Sequence, residues 1–349
     1  MTSRLRWLIL VAALGWLARS AIAATAVAPA ARAAAAFAAA TAPAATDPEP
    51  ACNISFTTTP SMSRLAAVMA TGRFIAYEPT SLQVDGGHVN AADPASIRAD
   101  LKVLRPRFDG LITYTAVHGA EAIPGIAAAL GYRAVIIGIW DPFDETEISA
   151  ALEAARHYPR LVVGVSLGNE VVFAKRHGFP ELTAAAVLMH RRAPELPISS
   201  TEPFHLLYGK AAAPLLNQLD FLLVNVHPVF QPWFRGAPDA NAAQFVVNVV
   251  SKLADEYCGP IIVKETGVPT APAGSGFSEE RQASFYFELQ RVFPAARTRA
   301  FAYFAAFDAP WRAADVQPAP GDHPEEAHWG LYDGKRNPKP VTARIALLN

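Results

Sequence analysis

The sequence predicts an α/β protein, a single closed (β/α)₈ TIM barrel, on three observations. Eight short apolar runs recur along the chain, seven of them followed directly by Gly or a polar residue. The segments between them carry helix signals. The runs are continuously apolar and not alternating, so their strands are buried on both faces, as a parallel sheet covered by helices requires.

The candidate strands, in order, are FIAY at 74–77, LITY at 111–114, AVIIGIW at 134–140, LVVGVSL at 161–167, PISST at 197–201, FLLVNV at 221–226, PIIVKE at 260–265 and AFAYF at 300–304. Helix starts are marked by Asp93 before Pro94, by Asp144 with Glu147 three residues on, and by Ser278 before Glu279 and Glu280. The runs AAQFVVNVVSKLADEY and RQASFYFELQRVF space their apolar residues by three and four, the stripe of an amphipathic helix. An open doubly wound sheet is the competing architecture. It would carry a Gly-rich phosphate turn after its first strand, and Tyr77 is followed here by EPTSLQVDGG. No P-loop is present.

The 349 residues are 52% hydrophobic and 17% charged, with a formal net charge of -1. That balance offers no basic field for a nucleic acid backbone, so neutral partners fit better. At the N-terminus, Arg4 and Arg6 precede an apolar run from Trp7 to Leu17 and an Ala21-x-Ala23 site. The layout is that of a secretory signal peptide over 1–23, cleaved near Ala23; uncleaved, it would be an anchor, although about 20 apolar residues are needed to span a bilayer. An Ala/Pro-rich linker follows over 24–50, leaving 51–349 for the barrel. Cys52 and Cys258, both exported, would form one disulfide or remain two buried thiols. Two cysteines are too few for a structural zinc site.

In such a barrel, reactive side chains gather at the C-terminal strand ends. The fourth strand runs into Asn169 and Glu170, and the seventh into Lys264 and Glu265. Two carboxyls facing each other across the mouth divide the work of breaking a glycosidic bond, one protonating the departing oxygen and the other attacking. Asn169 adds a neutral donor for a sugar hydroxyl. Strand alternation turns Lys264 away from Glu265, leaving it a structural ion pair.

Through GNE at 168–170, ETGVP at 265–269, ITY at 112–114, IGIW at 137–140, VNVHPVF at 224–230, FDAPW at 307–311 and HWGLYD at 328–333, the chain resembles glycoside hydrolase family 17, in its bacterial branch, from about Phe74 to Pro340. The resemblance implies a retaining β-1,3-glucanase in which Glu170 is the general acid/base and Glu265 the nucleophile, with the carboxyls about 5–5.5 Å apart. Their mutual repulsion would leave Glu170 protonated and Glu265 ionised near neutral pH. It implies a β-glucan polysaccharide or oligosaccharide as substrate, a monomer, and no cofactor or metal.

Tyr114 at the second strand tip and His227 in NVHP are candidates to bond the nucleophile or a sugar hydroxyl. Phe230 and Trp311 are candidate stacking platforms for sugar C–H faces, and Asp308 and Tyr77 candidate hydroxyl partners. Val268 departs from the family's usual Trp after E-[ST]-G, which puts linkage and subsite preference in question. Hydrolysis and transglycosylation share every step up to a covalent intermediate, so both stay open, as does a non-catalytic glucan-binding barrel.

Overall fold

The computed structural model describes residues 59–315 and 323–348. The expected (β/α)₈ barrel is present. Its eight strands, numbered here apart from a small hairpin outside the ring, are β1 Phe74–Ala76, β2 Gly110–Ile112, β3 Ala134–Ile139, β4 Val162–Asn169, β5 Ile198–Pro203, β6 Leu222–Asn225, β7 Ile261–Glu265 and β8 Arg299–Tyr303. All neighbours pair in parallel, and β1 closes the ring by pairing with both β2 and β8. Continuous burial along β3 to β7 follows from the two-sided cover that the apolar runs imply.

The three start signals act as N-caps. Asp93 accepts the Ser96 N–H, Asp144 accepts those of Thr146 and Glu147, and Ser278 Oγ accepts that of Arg281. Each satisfies a first-turn donor that the helix itself leaves unpaired. The two amphipathic runs form the helices Asp239–Glu256 and Glu279–Val292.

The core has two parts. One lies between sheet and helices. The other is the barrel lumen, where Phe74, Ile112, Ala134, Ile136, Val163, Phe221, Leu223, Ile262, Ala300 and Ala302 cluster with Met62, Leu65, Val68 and Met69. Those last four belong to helix Pro60–Thr71, which precedes β1 and closes the N-terminal end of the ring. The sequence reading leaves this helix unassigned, along with the hairpin Gln83–Asp85/His88–Asn90, which turns through Gly86 and Gly87 at φ 54° and 81°. With the N-terminal end plugged, chemistry is confined to the C-terminal rim.

The expected signal peptide and linker, and Cys52 of the expected Cys52–Cys258 disulfide, lie outside the described residues.

Candidate active site

Two breaks in strand register aim the site. Between β4 and β5 the pairing moves from Ser166↔Ser199 to Asn169↔Thr201, three residues against two. The surplus is taken up around Gly168 at φ 75°, and Glu170 follows at φ 53°, a conformation rarely held by a side-chain-bearing residue. The Glu170 N–H donates to Thr201 O at 2.8 Å and fixes the turn. Between β6 and β7 the pairing moves from Val224↔Val263 to Asn225↔Glu265, so Lys264 has no opposite number.

That second bulge corrects the expectation for Lys264. Alternation fails at an extra residue, and Lys264 turns toward the same region as Glu265, with Nζ 3.8 Å from Glu265 Oε1. Its Nζ donates to Asn169 Oδ1 at 2.7 Å and lies 4.1 Å from the centre of the Tyr114 ring. Burial pulls its pKa down to about 8, against the nearby carboxylates that favour its charge. With Oδ1 committed to Lys264, the Asn169 amide presents its N–H₂ as the remaining group.

Glu170 and Glu265 are both 3% exposed. Only β5 and β6 separate their strands, and Asn225, the register partner of Glu265, donates its side-chain Nδ2 to Glu170 Oε1 at 2.8 Å. Glu170 Oε2 has no hydrogen-bond partner among the described residues. Around Glu265, Tyr114 Oη donates to Oε1 at 3.0 Å and His227 Nε2 stands 3.5 Å from Oε2. Rings of Trp329, Phe304 and Phe230 pack against His227 at 5.1, 5.4 and 5.6 Å.

The surroundings push the two carboxyls in opposite directions. Burial, and next the charge of Glu265, raise Glu170 well above the ordinary carboxylate range. Burial acts upward on Glu265 as well, but His227, Lys264 and Arg312 together outweigh it and hold Glu265 below its usual value. One carboxyl is therefore a proton carrier and its neighbour a carboxylate.

Other candidates fall at graded distances from this pair. Tyr114, His227 and Asn169 are at it, and Phe230 stands behind His227. Trp311 is buried beside Arg312. Asp308 lines a recess with Glu78, Trp311 and Arg312, but its Oδ1 already accepts from Lys339 Nζ at 2.7 Å and from the Gly330 N–H at 2.8 Å, so it clasps two loops. Tyr77 is a correction: its hydroxyl donates inward to Asp100 on helix Pro94–Leu104 at 2.9 Å, and the side chain is fully buried, with no surface to meet a sugar. Val268 is also fully buried.

Residues outside the sequence reading complete the picture. Arg312, immediately after Trp311, is 4% exposed, donates to Glu78 at 2.8 Å, and lies 5.8 Å from the Tyr114 ring. Glu326 accepts from Trp329 Nε1 at 3.1 Å, and burial pushes its pKa up to about 8. The adjacent motifs, FDAPW at 307–311 and HWGLYD at 328–333, point at the neighbourhood, though nothing in a lone Arg or Glu reports burial.

A family model described as the BtgE/BtgC glycoside hydrolase domain matches residues 75–330. Over 292 residues the chain is 26% identical to a glucan 1,3-beta-glucosidase of Arthroderma benhamiae, covering 78% of this chain and 91% of that protein. Among solved structures it is similar to a glycoside hydrolase family 17 beta-1,3-glucanosyltransferase from Rhizomucor miehei, with TM-score 0.61, 22% identity, and coverage of 79% of this chain and 98% of that one. An active-site mutant of the Rhizomucor miehei beta-1,3-glucanosyltransferase in complex with laminaritriose matches with TM-score 0.59, 21% identity and coverage of 77% and 96%. At these identities the two structures speak for the fold.

Proposed function

The chain belongs to the BtgE/BtgC glycoside hydrolase domain family, and on that premise we propose that it cleaves β-1,3-linked glucan with retention, using Glu265 as nucleophile and Glu170 as general acid/base. The observation carrying this is geometric: two buried carboxyls at one rim, Glu265 bonded by Tyr114 Oη and Glu170 bonded by Asn225, the register partner of Glu265, in surroundings that push Glu170 up and Glu265 down. The glucosidase name of the curated relative and the laminaritriose in the Rhizomucor complex support the substrate class.

In the first step Glu265 Oε attacks the anomeric carbon as the C–O bond to the leaving sugar breaks, and the Glu170 proton passes to the departing oxygen. In the second, Glu170 takes a proton from water, whose oxygen attacks the anomeric carbon and returns Glu265 to a carboxylate. If a sugar hydroxyl replaces water, the same groups perform transglycosylation. Tyr114 donates to the nucleophile, and Asn169 offers its amide to a hydroxyl. Export by the N-terminal signal segment, cleaved near Ala23, belongs to this proposal, as does a Cys52–Cys258 disulfide.

Laminaripentaose incubated with the purified protein should yield shorter laminari-oligosaccharides, and longer ones as well if transfer competes, while cellopentaose should be untouched. Tight binding of laminari-oligosaccharide with no product would overturn the enzymatic reading in favour of a binding barrel.

Lys264 supplies a further check. Its charge lowers Glu265, so Lys264→Met should raise the nucleophile's pKa. Because Glu265 must be ionised to attack, the acidic limb of the kcat/KM profile should move to higher pH. An unmoved limb would mean that Glu265 does not set it.

A further inference from the structure

The turn carrying Glu170 is held from one side by a carboxylate with no part in the chemistry above. Glu202, near the end of β5, is 1% exposed. Its Oε1 accepts the Val172 N–H at 2.8 Å and its Oε2 the Phe173 N–H at 3.1 Å. Those donors are the second and third residues after Glu170, whose φ of 53° needs outside support. On the other side, Arg176 donates from Nη2 to Asn169 O at 2.7 Å and from Nη1 to Trp140 O at 3.1 Å, with its guanidinium 4.7 Å from the Trp140 ring.

We infer that Glu202 is a positioning residue for the general acid, clamping the backbone beyond Glu170 so that its carboxyl meets the leaving oxygen; the inference rests on the acid/base role proposed for Glu170. The two bonds fix consecutive N–H groups of the turn that begins at Glu170, so the clamp acts on the backbone that carries the acid. A Gln at 202 has one acceptor oxygen, and its NH₂ would face the second N–H, so one bond is replaced by a donor–donor clash. Burial raises the Glu202 pKa to about 7 against the backbone N–H groups of the turn and the Arg176 charge, which lower it, a carboxyl retained at some cost in desolvation.

A misplaced acid hurts reactions in proportion to how much the leaving group needs a proton. The test therefore compares wild type, Glu170→Ala, Glu202→Gln and Glu202→Asp on laminaripentaose and on 2,4-dinitrophenyl β-laminaribioside, whose phenolate departs unaided. Active sites are counted by covalent labelling with a dinitrophenyl 2-deoxy-2-fluoroglucoside. Glu202→Gln should lose about 10- to 100-fold in kcat/KM on the oligosaccharide and under about 3-fold on the dinitrophenyl substrate, with Glu202→Asp, which keeps both acceptor oxygens, between it and wild type. Equal losses on both substrates, or no loss, would overturn the inference while leaving Glu170 in place, provided Glu170→Ala shows the leaving-group dependence. Absence of that dependence in Glu170→Ala would instead bring down the acid/base assignment and this inference with it. Should Glu202→Gln not fold, the same ratio is read on Glu202→Asp.

Discussion

Glu265→Gln is expected to lower kcat on laminari-oligosaccharides by about 10⁴-fold or more, the scale on which removing a covalent nucleophile acts. Gln keeps an oxygen to accept from Tyr114 Oη and fills the same volume, so the cavity around it does not collapse. The buried cations that lose a counter-charge have other partners: Arg312 keeps Glu78, and Lys264 keeps Asn169 and releases its proton more readily, since burial already draws it to about 8. Removing one member of a buried ion pair can cost about 3–5 kcal/mol when the other charge is stranded; with these alternatives the variant should remain folded by far-UV circular dichroism. Glu265→Ala, with space opened at the nucleophile, should accept azide and release an α-glycosyl azide from a dinitrophenyl glycoside. Wild-type-like turnover in either variant would remove Glu265 from the mechanism.

Glu170→Ala is the second large effect, and it should depend on the substrate. Loss of a general acid costs about 10²- to 10⁴-fold, felt in full on a sugar leaving group and hardly at all on dinitrophenolate in the bond-breaking step. Azide should rescue the second step with formation of a β-glycosyl azide, because it enters from the face that Glu170 serves after Glu265 has inverted the centre once. An α-product from this variant would mean the two roles are reversed. The pH sign follows from the directions of the shifts. The active form has Glu265 ionised and Glu170 protonated, so kcat/KM rises as Glu265 loses its proton and falls as Glu170, raised by burial and by Glu265, loses its own. Glu170→Ala should erase the falling limb.

The barrel was legible because its signal is repeated. A continuous apolar strand has few other places to go, and eight of them in series constrain the ring. The plug helix Pro60–Thr71 was not, since one 12-residue amphipathic helix after an Ala/Pro-rich stretch says nothing about which end of a lumen it fills. Glu170 and Glu265 could be placed from sequence because each ends a buried strand inside a recognisable motif. Lys264 was misplaced by the rule of alternation, which holds only where register is unbroken; the bulge that re-aims it depends on the pairing with β6. Tyr77 failed for a related reason. It sits at a strand tip like Tyr114, but Asp100 arrives from helix Pro94–Leu104 and takes its hydroxyl inward. Arg312 and Glu326 are single charges beyond the last barrel strand, and Glu202 stands near the end of β5 outside any quoted motif; only the closed tertiary structure makes all three buried and therefore consequential.

Retention through Glu265 requires a covalent bond between that glutamate and one sugar. Digestion of the protein after incubation with 2,4-dinitrophenyl 2-deoxy-2-fluoro-β-laminaribioside, followed by tandem mass spectrometry, reads that bond directly. The modification should fall on the peptide containing ETGVP, at Glu265. A label at Glu170, or a protein that turns over laminari-oligosaccharides yet never carries a label, would contradict it.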